Sequence, residues 1–188
     1  WSDGVRGRCK CNDGSADHQQ PSGFAAIVTQ TTQSTNATAS WWWKRAAGTA
    51  SGTLSCTRSG STGAGFWGVM SCWRGACETG TPFNTAGPTS GRTNSFSSSA
   101  ITPTNNYCRV ICLCNLEDNT ALGTLGGGSF AEDFEVNDNN SDDAAFSANS
   151  FAQTTKAAES ARAGSVGGTD SWFTVTIALF SNTVTTVS

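Results

Sequence analysis

The cysteines are the residues of this 188-residue chain best equipped for chemistry, and there are eight of them. Cys9 and Cys11 form a C-x-C step, as do Cys112 and Cys114; Cys72 and Cys77 are separated by four residues, and Cys56 and Cys108 stand apart. Structural zinc wants C-x2-4-C knuckles in two matched halves. Only the Cys72/Cys77 spacing fits, and no second half answers it. An even number of cysteines fits four disulfides instead, in a pairing the sequence does not choose. Disulfides persist where thiols oxidise, so the chain reads as secreted or cell-surface. Trp1 is no initiator residue, so the expectation is that either a signal peptide has been removed or the chain has been cut.

Acid–base chemistry has less to work with. A Ser-His-Asp or Cys-His arrangement would have to use the single histidine, His18, in Ser15-Ala16-Asp17-His18. That stretch reads as a polar loop, and a histidine there is expected to be solvated and inert. Paired carboxylates could come from Glu78, Glu117, Asp118, Glu132, Asp133 and Glu135, but no aromatic cleft flanks them in sequence. No catalytic residue is assigned, and a secreted hydrolase is the weakest of the functional alternatives.

Asp138, Asn140 and Asp142 occupy positions 1, 3 and 5 of an EF-like loop, all oxygen donors. Asp143 stands where that loop needs glycine and Asn149 where it needs glutamate, so the motif is broken. Calcium is the one cofactor the sequence suggests, in a loop of another kind. The competing expectation is a helix N-terminus decorated with acids. Asn36-Ala37-Thr38 and Asn139-Asn140-Ser141 are sequons, and Asn36 and Asn139 are the candidate glycosylation sites.

Trp41-Trp42-Trp43-Lys44-Arg45 is the strongest binding motif. Exposed rings would stack on sugar faces, or sit at a lipid headgroup boundary beside the two cations. Buried rings would be core. On a strand, Trp41 and Trp43 share one face and Trp42 takes the other, so all three cannot be buried on one side. A net charge of −3 and the lack of a basic stripe exclude nucleic acid as the partner.

The elements that must position these residues are mostly strands. Residues 24–30 and the apolar window 66–73 each read as one. Residues 107–114 alternate so that Cys108, Val110, Cys112 and Cys114 share a face, a nexus for disulfides to neighbouring strands. Residues 172–180 alternate most cleanly, with Phe173, Val175, Ile177 and Leu179 on one side. This strand can complete its own sheet or be donated to a neighbour's. One helix is expected near 142–163: Ser141 or Asp142 caps it, Glu159 and Arg162 pair along it, and Gly164 closes it. The expected fold is therefore mainly β, antiparallel and disulfide-rich, with that helix; a small α+β fold is the variant.

Pro, Ser and Thr crowd residues 81–106, which divides the chain into a Cys/Trp-rich region 1–80, a linker or long loop 81–106, and a β-helix-β region 107–188. A single domain over 1–188 is the alternative. Charged residues make up only 13 % of the chain, while Gly, Ser, Thr, Ala and Asn abound. Together with the disulfides, this suggests a non-enzymatic extracellular structural or adhesive protein, a self-associating subunit of a surface filament or sheath. A secreted module or toxin that binds carbohydrate or membrane through Trp41, Trp42, Trp43, Lys44 and Arg45 is the first alternative.

Overall fold

The computed structural model describes residues 4–11, 17–33, 37–46, 53–59, 66–139 and 143–181, with residues 4–11 described as backbone. Eleven strands make up the regular structure among the described residues: β1 (Gly4–Cys11), β2 (Asp17–Gln19), β3 (Ala25–Gln33), β4 (Ala37–Arg45), β5 (Thr57–Ser59), β6 (Phe66–Trp73), β7 (Phe83–Ser97), β8 (Cys108–Leu116), β9 (Ala131–Asp138), β10 (Ala144–Gln153) and β11 (Ala163–Phe180). They form a four-stranded sheet in the order β3-β4-β1-β6, a five-stranded sheet β7-β11-β8-β10-β9, and a small β2-β5 ribbon. Neighbours within each sheet run antiparallel.

The period-2 patterns explain how these sheets stack. Ala37, Ala39 and Trp41 of β4 meet Ile111 and Leu113 of β8, and Phe173, Val175, Ile177 and Leu179 of β11, in one apolar cluster. That cluster joins the two large sheets face to face. The opposite face of β8 and β11 carries Cys108, Val110, Cys112, Cys114, Leu116, Trp172 and Ala178, covered by Phe96, Ile101, Leu122, Leu125 and Phe130. On the far side of the four-stranded sheet, Trp42 and Phe24 pack with Leu54, Cys56 and Phe66 beneath the β2-β5 ribbon. Trp41 and Trp42 are each at most 1 % exposed, on opposite faces of one strand. Truncating either to alanine would cost about 3–5 kcal/mol, the usual range for a buried large aromatic.

The expected helix is not borne out. The segment read as a helix is β10, held between β8 and β9, followed by irregular chain to Arg162. Its Ala144, Ala145, Ser147, Ala148, Asn149 and Ser150 are all buried. Small side chains let a strand sit in the middle of a sheet covered on both faces, and that packing outweighs the helix propensity of alanine. Gly164 is no helix cap: it lies in β11 opposite Phe96, whose ring a Cβ there would strike. The Glu159–Arg162 pair does form, at 2.7 Å, on irregular chain.

Most of the expected linker is β7, a 15-residue strand. Threonine favours strands, and as an edge strand β7 tolerates Pro88, which has no N–H to give a second neighbour.

None of the six cysteines with described side chains forms a disulfide. Cys112 lies between Thr176 and Asn149, and Cys114 between Thr174 and Ser147, so neither has a cysteine across the ladder. The loops over that face hold no cysteine either. Cys108, Cys112 and Cys114 do share a face, but they act as small apolar core residues. Cys9 and Cys11 belong to β1, with Cys9 opposite Ser40 and Gly68, and Cys11 opposite Thr38 and Phe66.

Candidate functional site

At one end of the sandwich the chain leaves β6, enters β8, and finishes β10 and β11. These four ends enclose an open cavity of about 290 Å³. Trp73, Arg74, Gly75, Tyr107, Arg109 and Phe180 form its aromatic and cationic side, and Gln153, Thr154 and Ser181 add polar groups. The turn after β6 is stitched to the end of β11 by Cys77 N–H donating to the Phe180 carbonyl at 2.9 Å and by an Ala76–Ser181 bridge.

Tyr107 is the one non-glycine residue with a positive φ, 52°, among the described residues. Placing a bulky residue there costs about 1–2 kcal/mol, so something must hold it. Its N–H donates to the Thr154 carbonyl at 3.2 Å and its carbonyl accepts from Ser181 N–H at 3.1 Å. The phenol is left 56 % exposed at the cavity rim. Arg109 is fixed from three directions. Its Nε donates to Ser150 Oγ at 2.8 Å, its Nη2 reaches Asp133 Oδ1 at 2.9 Å, and the guanidinium lies over the Trp73 ring, 5.5 Å from its centroid. The arrangement offers aromatic faces, one rigid guanidinium and neutral hydrogen-bonding groups. Cys108 also lines the cavity, but burial pushes its thiol pKa up, so it stays protonated at neutral pH and makes a poor nucleophile.

The Trp41–Arg45 motif is split across the sheet. Trp41 and Trp42 are interior, and rings closed to solvent offer no face to a sugar or a lipid. Trp43 is half-buried and meets Phe83 edge-on at 5.5 Å. Lys44 is exposed with its Nζ over Phe24, and Arg45 donates from both terminal nitrogens to the carbonyls of Cys77 and Gly80. Arg45 thus secures the turn that borders the cavity.

His18 is buried rather than solvated. It sits in β2 against the four-stranded sheet, with Nδ1 2.9 Å from Ser40 Oγ and Nε2 3.1 Å from Thr38 Oγ1. Phe66 and Trp42 pack around the ring at 5.5 and 6.4 Å. Burial lowers its pKa to about 4; Asp17 opposes that shift and Arg58 adds to it. With both nitrogens on buried hydroxyls, this histidine ties the ribbon to the sheet.

The carboxylates are scattered. Glu132 is exposed, Asp133 pairs with Arg109, Glu135 accepts from Leu122 N–H, and Glu117 accepts from Ser171 N–H. None of them lines the cavity. Asp170 is raised above the usual carboxyl range by burial, then by the charge and hydrogen bond of Asp118 and by Glu117, against Arg92. Of the suggested calcium ligands, Asp138 accepts from Trp67 Nε1–H at 2.8 Å, while Asn140 and Asp142 lie outside the described residues. Among the described residues no three His, Cys, Asp or Glu side chains are grouped to hold a metal ion. Asn139 is exposed just after β9, and Asn36 lies outside the described residues.

Sequence reasoning missed Trp73, Arg74, Tyr107 and Arg109 as a group. The available signals were slight: an aromatic–Arg–Gly turn at 73–75 and the chain's one tyrosine. No known protein family, curated protein or solved structure matches the chain.

Proposed function

We propose that this chain is a non-enzymatic, extracellular adhesive protein that holds carbohydrate in the cavity at the end of its sandwich. The observation that carries this reading is the rim: Trp73 and Tyr107 flank a cavity of sugar size whose guanidinium is already fixed. Aromatic faces suit the C–H faces of a pyranose, and rigid polar groups orient its hydroxyls at little entropic cost. The low charge and the abundance of hydroxyl and amide side chains support a surface location. Binding to a glycan array by the native protein, weakened more than tenfold in Tyr107→Ala and Trp73→Ala, is the expected result, since buried aromatic anchors contribute about 2 kcal/mol or more. Unchanged binding in both variants would remove this cavity from the function.

A second reading, a self-associating subunit of a surface filament or sheath, is favoured by β6. It is an edge strand of the four-stranded sheet, carries no charged residue, and leaves Met70 58 % exposed. Such an edge is a template for another strand. Light scattering on native material distinguishes the two readings: growth with concentration, abolished by Met70→Lys, supports assembly, and a constant 19.5 kDa particle rules it out.

A further inference from the structure

The charges around the cavity say which carbohydrate it takes. Among the described residues, Arg74 and Arg109 are the only charged ones that line it. The chain as a whole has 14 acidic against 11 basic side chains, so a lining with two guanidiniums and no carboxylate runs against the overall balance. Asp133 neutralises Arg109 from behind, outside the lining. It engages Nη2 beside the Nε that bonds Ser150, so the two bonds that fix the fork lie along one edge of it. Arg74 is solvent-exposed on the turn after β6.

Guanidinium groups match oxyanions geometrically, and a fork held in place by an ion pair, a hydroxyl and an indole face has lost its rotamer freedom before binding. We infer that the cavity is specific for an acidic saccharide, one whose ring carries a carboxylate or a sulfate. The sugar ring lies against Trp73 and Tyr107, and its anionic group faces Arg74 and Arg109. This inference rests on the carbohydrate reading above and adds the ligand's charge to it.

The test uses the native protein against three sets of immobilised oligosaccharides: uronate-containing, sulfated, and neutral counterparts that include the methyl esters of the same uronates. Uronate or sulfated sugars are expected to bind at least about tenfold more tightly than their neutral partners, since a hydrogen bond to a charged group contributes about 1.5–3 kcal/mol. That preference should shrink as salt is raised. Arg74→Gln is expected to cut acidic-sugar binding about tenfold and so to lower the ratio of acidic to neutral binding. Arg109→Lys keeps the charge and loses the fork, and should also lose the preference. Should it fail to fold, Arg74→Gln still decides the matter. Esters bound as well as free acids would overturn the acidic specificity while leaving the carbohydrate reading intact. Binding of no sugar in any set would overturn both.

Discussion

Acid should loosen the β2-β5 ribbon through His18, and the size of the effect follows from the site. In the unfolded chain the imidazole takes up a proton as pH falls through its ordinary 6.5; in the fold it stays neutral until about 4. Between those values the unfolded state holds more protons, so stability is complete above pH 6.5 and is lost as pH falls towards 4. A gap of that size is worth about 3 kcal/mol in full, of which about 2 kcal/mol is gone by pH 5. Urea denaturation followed by tryptophan fluorescence measures it, with Trp42 6.4 Å from the His18 ring as a local reporter. The urea midpoint should drop by about 1 M between pH 7 and pH 5, taking a typical urea slope of about 2 kcal/mol per molar. His18→Gln keeps hydrogen-bonding capacity but cannot titrate, so its midpoint should be flat over that window although lower at pH 7. Equal pH slopes for the native protein and the variant would refute the reasoning, because the acid sensitivity would then come from elsewhere.

Asp170 should act in the opposite direction. Its folded pKa is raised, so stability falls as pH climbs from its ordinary 3.8 to the higher folded value, and Asp170→Asn should raise the melting temperature at pH 7 and leave it unchanged below pH 3.8. A Cβ at Gly164 meets the Phe96 ring and comes within 2.8 Å of the Gly123 carbonyl oxygen, so Gly164→Ala should destabilise by about 1–3 kcal/mol in denaturant titration. Adding Phe96→Leu should recover part of that loss, and full additivity of the two changes would contradict the contact. Cys112 and Cys114 are completely buried and form no disulfide, so an alkylating reagent should modify them only after unfolding and without prior reduction. Modification of either in the native state would show the core there to be open.

Strands with strict alternation were legible. The two faces of β11 and β8, and the division of Trp41 from Trp42, follow from period-2 patterns long enough to leave one register. The segment at 144–153 was misread because alanine, serine and asparagine carry little periodic signal. Its helix-like caps were local evidence, and what decided its structure was the space between β8 and β9. β7 was hidden by its serine, threonine and proline, which look the same on an edge strand as in a linker. His18 looked solvated because its immediate neighbours are polar, whereas its partners Ser40 and Thr38 lie more than 15 residues away. The cavity was the least legible part. Trp73, Tyr107, Arg109 and Ser181 meet only through sheet order, and no spacing along the chain announces sheet order.

The division of the sheets along the chain has a consequence for synthesis. All of β1 to β6 precedes Arg74, and all of the five-stranded sheet follows Gly80. As the chain emerges from the ribosome, the first sheet can be completed while the surface that will cover Ala37, Ala39 and Trp41 does not yet exist. That face stays wet until β11, the second sheet's last strand, is made, because Phe173, Val175, Ile177 and Leu179 supply much of its cover. The nascent first half is therefore the stage at which this protein is most exposed to aggregation and most dependent on a chaperone. Release of a chain cut short before residue 172 should yield insoluble material, however well formed its first sheet is.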